Sequence, residues 1–208
     1  MRRSTLYYIA LILFTAAGCS SEQDSGTHDS VTVATASTED DAAVVSNTVA
    51  ENRLVPGKSA GQISLGEDAA LLYQKMGKPD AGDAAMQKAV AIWYDDHDPK
   101  SYQTAVYTVR DTGDNPPARI RQIRVTSPEY RTVTGMGPGV ELNKLLSSFT
   151  LVKLDNYPAA EVKNAKEKLQ LYDSDEGIAF EVNEAMKCTA VIIHEPGKIL
   201  KAGNLPLR

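Results

Sequence analysis

The chain has 208 residues with 22 Lys+Arg against 27 Asp+Glu, a formal charge of −5. That length supports one or two domains with a real core. The acidic balance argues against a general nucleic-acid binder, two Cys exclude a disulfide-stapled mini-scaffold, and no apolar run of about 18 residues marks an ordinary transmembrane helix.

Chain order starts with an address. Arg2 and Arg3 form a positive region, Leu6–Phe14 a short apolar stretch, and Ala16-Ala17-Gly18-Cys19 the small residues and the thiol that follow. This pattern resembles the lipobox of bacterial lipoproteins, with Ala16 where those proteins more often carry Leu. The resemblance implies cleavage between Gly18 and Cys19, a diacylglyceryl thioether on Cys19 and acylation of the new amino terminus. Two or more acyl chains make a membrane anchor effectively permanent, whereas one chain is marginal. In a Gram-negative host, Ser20 after the Cys resembles the pattern sent to the outer membrane, facing the periplasm. A plain secretory signal explains the first two regions but not the position of Cys19.

Residues 19–52 read as a lipidated acidic tether. Ser20–Asn52 holds Glu22, Asp24, Asp29, Glu39, Asp40, Asp41 and Glu51, with no Lys or Arg and no Trp, Tyr, Phe, Leu or Ile. Such a segment buries too little to offset chain entropy and is expected to be disordered. As a flexible coil it spans roughly 30 Å. Setting aside the two signal arginines and the seven tether carboxylates leaves 20 basic and 20 acidic residues in 53–208. The acidity belongs to the tether.

The folded part divides into two similar segments, 53–127 and 128–208. In the first, Ile63-Ser-Leu-Gly66 leads into Glu67–Met76, where Ala69, Leu72 and Met76 have helical spacing. Gly77 and Pro79 stop that helix. In the second, Gly135–Gly139 leads into a helix carrying Leu142, Leu145, Leu146 and Phe149. Strand-like runs follow each helix: Ala89–Tyr94, Tyr102–Arg110 and Arg119–Thr126, then Leu169–Asp173, Gly177–Asn183 and Cys188–Glu195. Pro158–Lys168 reads as a further helix with Pro158 at its first position. The expected fold is α+β: two tandem repeats of a helix plus a three-stranded antiparallel sheet, paired by their faces or merged into one larger sheet, since one such unit buries little.

Ile63-Ser-Leu-Gly66, the helix, Gly77-Lys78-Pro79 and then Trp93-Tyr94 together resemble the small outer-membrane assembly lipoproteins of the SmpA/OmlA (BamE-like) family. The same unit in tandem resembles the β-lactamase inhibitor proteins. The match covers about Gly61 to Tyr94, and the second segment keeps only the glycine entry and the helix. The resemblance implies an envelope protein that binds other proteins, with an inhibitor or ligand-binding module acting on an exported hydrolase as the alternative.

No arrangement of residues points to chemistry. Cys188 and His194, on one strand, stand roughly 20 Å apart, too far for a nucleophile and its base; Cys188 reads as a core residue. Asp95-Asp96-His97-Asp98 is consecutive, so its side chains diverge and a solvated turn is expected rather than a metal site. Asp173-x-Asp175-x-Gly177, with Glu184 at the twelfth position, lacks the glycine a calcium loop needs at position 6, which is Ile178. Gly135-x-Gly137-x-Gly139 lacks the Lys-Ser/Thr of a phosphate loop. The expectation is therefore no enzyme, no cofactor, no metal and no nucleic acid. The partners are a membrane through Cys19 and a protein of the envelope. The candidate partner surface is Trp93 and Tyr94, drawn from the aromatics that also include Tyr102, Tyr107 and Tyr130, with Arg119 and Arg121, which period-2 spacing puts on one strand face and Arg124 on the other.

Overall fold

A computed structural model describes residues 51–155 and 169–200. The signal region with Gly18 and Cys19, the tether up to residue 50 and the expected helix Pro158–Lys168 lie outside the described residues.

Three two-residue strands open the fold: β1 (Leu54–Val55), β2 (Ser59–Ala60) and β3 (Ile63–Ser64), paired antiparallel in that order. Helix α1 (Ala69–Met76) follows. It begins two residues later than the expected Glu67, because Asp68 serves as N-cap, its carboxylate accepting the Ala70 N–H at 2.9 Å. It ends where Gly77 turns to φ 73° and donates its N–H to the Tyr73 carbonyl. Strands β4 (Ala81–Ala85), β5 (Lys88–Tyr94), β6 (Gln103–Arg110) and β7 (Ala118–Val125) come next, then helix α2 (Leu142–Ser148). The chain continues with β8 (Val152–Lys153), β9 (Gln170–Ser174), β10 (Ile178–Val182) and β11 (Cys188–His194).

These last eight strands form one antiparallel sheet in the order β4-β5-β6-β7-β11-β10-β9-β8. The expectation of two helix-plus-three-strand repeats is thereby corrected. Each helix is followed by four strands. The first and second halves meet in a single ladder, β7 against β11, with Val125, Arg124, Ile123 and Gln122 opposite Val191, Ile192, Ile193 and His194. A separate three-stranded sheet is present as well. The added elements carry weak local signals. β4 is Ala-Gly-Asp-Ala-Ala, without a β-branched or aromatic residue, and β1, β2, β3 and β8 are two residues each.

One face of the large sheet carries the main core. Ala91, Trp93, Val106, Ile120, Ile123, Val125, Ile178, Phe180, Val182, Val191 and Ile193 are buried there with Leu72 of α1, Leu142 and Leu145 of α2, and Leu54, Ala60 and Ile63 of the small sheet. Phe149 and Phe180 stack with ring centroids 5.3 Å apart. The small sheet is tied to the second segment: the Leu54 N–H donates to the Arg131 carbonyl, the Gly57 N–H to the Gly177 carbonyl.

The Gly57–Gly177 contact is very close. At Gly177, with φ 88°, a Cβ would stand 2.4 Å from the His194 carbonyl oxygen and 2.7 Å from the Gly57 Cα. No side chain fits without moving backbone. Gly177→Ala should therefore lower stability by about 2 kcal/mol or more, read as a shift of the denaturation midpoint; an unchanged midpoint would contradict this packing.

Candidate functional site

The cross-strand pairs define the second face of the large sheet. On β5 it carries Val90, Ile92 and Tyr94, and on β6 it carries Ala105, Tyr107 and Val109. Those β6 residues stand opposite Arg124, Gln122 and Arg119 of β7. The ladder slips between Tyr107 and Thr108, where Gln122 and Ile120 are the successive partners, and Arg121 is the extra residue of a β-bulge. The bulge resets the alternation. Ile120 and Ile123, three apart, both reach the main core, and Arg119 and Arg124 share the second face. The expected split, with Arg119 and Arg121 together and Arg124 opposite, is corrected by this one inserted residue.

The second face differs between its halves. Across β9, β10 and β11 it is buried. Leu171, Ala179, Ile192 and Leu200 form a small cluster there, with Leu154 and Leu169 against it. The same face carries charges. Arg124 grips Glu181 with two nitrogens, Nε to Oε1 at 3.1 Å and Nη2 to Oε2 at 2.7 Å, and both side chains are nearly out of solvent. The Arg124 Nη1 is buried without a partner among the described residues. Asp173 and His194 form a second pair, Oδ1 to Nε2 at 2.8 Å. The Asp173 Oδ2 also accepts the Leu200 N–H at 2.6 Å, and the His194 Nδ1 donates to the Glu195 carbonyl at 2.9 Å. Asp173 thus belongs to a buried network and is not a calcium ligand at a loop surface. Both carboxylates, the Arg124 guanidinium and the His194 ring are engaged in holding structure.

Over β5 and β6 the second face is different. Val90, Ile92, Tyr94, Tyr107 and Val109 are only partly buried. The helices and the small sheet pack on the opposite face, so among the described residues this face has no helix on it. Partial burial raises the Tyr107 phenol above its ordinary value. Tyr102, just before β6, is 50 % exposed.

The residues named from sequence divide accordingly. Tyr94 lies on this partly exposed face. Trp93 does not: at 6 % exposure it is core, tilted against Tyr73 at 6.1 Å, its Nε1 donating to the Gly77 carbonyl. Adjacent strand residues point opposite ways, so the pair Trp93-Tyr94 is split between the two faces. Arg119 reaches the Gly66 carbonyl at 3.4 Å. Arg121 faces Asp111 at 3.2 Å and Glu195 at 3.7 Å, so two carboxylates already offset its charge. Lys198 holds the Glu195 carboxyl below its ordinary value. Tyr107, one of the aromatics the sequence offers, lies on this face, and Val90 and Ile92 join it without having been singled out; period-2 spacing does not say which phase faces the helices.

The remaining sequence motifs have structural roles. Cys188 is buried, and burial, with Glu181 nearby, pushes its thiol up to about 12, far from a reactive thiolate. In the acidic turn, His97 Nδ1 meets Asp80 Oδ1 at 2.6 Å. Among the described residues no three His, Cys, Asp or Glu side chains converge to hold a metal, and no helix is long and apolar enough to cross a membrane. Compared with family models, with curated proteins and with solved structures, the chain matches none.

Two outcomes test this site. His194→Ala leaves the Asp173 Oδ1 buried without its hydrogen-bond partner and should cost about 1–3 kcal/mol in chemical denaturation, with loss of protection at the Leu200 amide. The Tyr94 N–H and then His97 hold the Asp80 carboxyl below its ordinary 3.8. Its contribution to stability is therefore present above that value and fades as pH falls through the lower, folded one. In a carboxyl NMR titration, His97→Ala should move the Asp80 midpoint back up toward 3.8.

Proposed function

We propose that this chain is a membrane-anchored lipoprotein of the cell envelope whose folded domain binds a protein partner and catalyses no reaction. The lipobox-like Ala16-Ala17-Gly18-Cys19 supports the anchor. The resemblance of Ile63-Ser-Leu-Gly66, Gly77-Lys78-Pro79 and Trp93-Tyr94 to outer-membrane assembly lipoproteins supports a role in envelope assembly. The observation that carries the binding role is the sheet face over β5 and β6, which carries no helix among the described residues and where Val90, Ile92, Tyr94 and Tyr107 are aligned and partly exposed. Aliphatic and aromatic side chains on a rigid sheet are what an interface core requires: large contact area at small entropy cost. Arg119 and Arg121 stand beside this surface, already engaged, and serve as rim rather than anchor. Inhibition of an exported hydrolase remains the alternative, since a broad sheet face fits a folded enzyme as well as an assembly factor.

Photo-crosslinking in cells decides between these readings. A crosslinker at Tyr94 or Tyr107 should capture a specific envelope protein, while one at Lys144 on α2 should not. Recovery of a hydrolase selects the alternative, and equal capture from all three positions overturns the binding face. Cys19→Ser should move the protein from the membrane fraction to the soluble fraction. Retention in membranes would contradict the lipid anchor.

A further inference from the structure

The large sheet is open, and β4 is one of its two edges. Open edges present unpaired backbone groups and invite another strand, so folded proteins normally block them with Lys, Pro, a bulge or a covering element. Among the described residues β4 has none of these. Its sequence is Ala81-Gly82-Asp83-Ala84-Ala85, and Gly82 to Ala85 are all exposed. It pairs with β5 in unbroken register from Ala81↔Ile92 to Ala85↔Lys88 around a two-residue turn, Met86-Gln87, both at positive φ. That turn closes on the Ala85–Lys88 pair, so Ala81, Asp83 and Ala85 bond inward to β5. Gly82 and Ala84 direct their N–H and C=O groups outward.

One of those outward donors is occupied. The Ala84 N–H donates to the Asp83 Oδ1 at 2.8 Å, a bond between neighbouring residues that no ladder requires. Asp83 is also the only charged side chain on the strand. If a second copy added its β4 antiparallel about the strand centre, Gly82 would face Ala84 of the other copy and Asp83 would face Asp83. Every other side chain on the strand is hydrogen or methyl, so nothing else would impede close pairing. Two carboxylates directly opposite repel across a strand pair, and the capped N–H would be unavailable to the incoming carbonyl.

We propose that Asp83 is the residue that keeps β4 from pairing with β4 of a second copy, by capping the outward Ala84 N–H and by setting like charges face to face. The occupant being refused is a second copy of this chain, because a self-complementary strand of Ala and Gly is always present at the protein's own concentration. Anchoring on a membrane would raise that concentration further, and the need for a guard with it.

The test is sedimentation of the full-length chain in detergent micelles across a concentration series. The wild-type chain should stay monomeric. Asp83→Ala, which removes cap and charge, should dimerise with a dissociation constant roughly tenfold or more below that of the wild type. Asp83→Asn, which drops the charge but keeps an acceptor, should fall between the two. Adding Ala84→Pro to Asp83→Ala should return the monomer, because Pro deletes the outward N–H without touching an inward bond. Circular dichroism should show all variants folded. A wild-type chain that already dimerises through β4, an Asp83→Ala chain that stays monomeric, or a dimer that Ala84→Pro does not disrupt would each overturn the proposal.

Discussion

Everything in this fold depends on the β7–β11 ladder. It joins two segments far apart in sequence, and it sits at the centre of an eight-stranded sheet, where both faces lose water. Val125, Ile123, Val191 and Ile193 fill the helix side of that ladder. On the other side the same strands present Gln122, Arg124, Ile192 and His194. Polar groups there are expensive to desolvate unless partnered. Arg124 therefore takes Glu181 with two nitrogens, and His194 takes Asp173, which also holds the Leu200 amide. The buried charges are a consequence of placing polar residues at a junction with no exposed side.

That constraint distributes roles across the sheet. The β9–β11 half buries both faces and is committed to structure. The β5–β6 half has its helices on one face only and leaves Val90, Ile92, Tyr94 and Tyr107 partly in contact with solvent. The proposed binding surface and a stabilising network thus occupy the same sheet face, one on each side of the central ladder. Arg121 sits at the transition, at a bulge that turns β7 and aims its guanidinium at Asp111 and Glu195. Edge management follows the same logic. β8, at one edge, is two residues long, while β4, at the other, is longer and carries its single charge at its centre.

Much of the local structure was legible in the residues. The six long strands fall within a residue or two of the runs marked by Val, Ile and Tyr, and both helices lie where spacing placed them. The misses are physical. β4 is built from Ala, Gly and Asp, which carry no strand preference, and it exists because β5 offers it a partner. Two-residue strands have no period to detect. The Arg121 bulge is invisible to a period-2 count, so that count puts Arg124 on the face opposite Arg119, whereas the two share one. Trp93 was named as surface because aromatic residues suit interfaces, yet its ring packs on Tyr73 and its N–H on a helix cap.

Sequence by itself determined most elements and the charge layout: an apolar leader ending in Cys19, an acidic segment without Lys or Arg, and a charge-balanced folded part in which both helices and six of the strands among the described residues were legible. These follow from short-range physics, since periodicity, capping and turn chemistry act over a few residues. Only the tertiary structure decided that the strands merge into one sheet, that four follow each helix, which face each side chain takes and which aromatics remain near solvent. Those outcomes rest on pairings such as Val125 with Val191, whose energy comes from excluding water between segments that no local pattern connects.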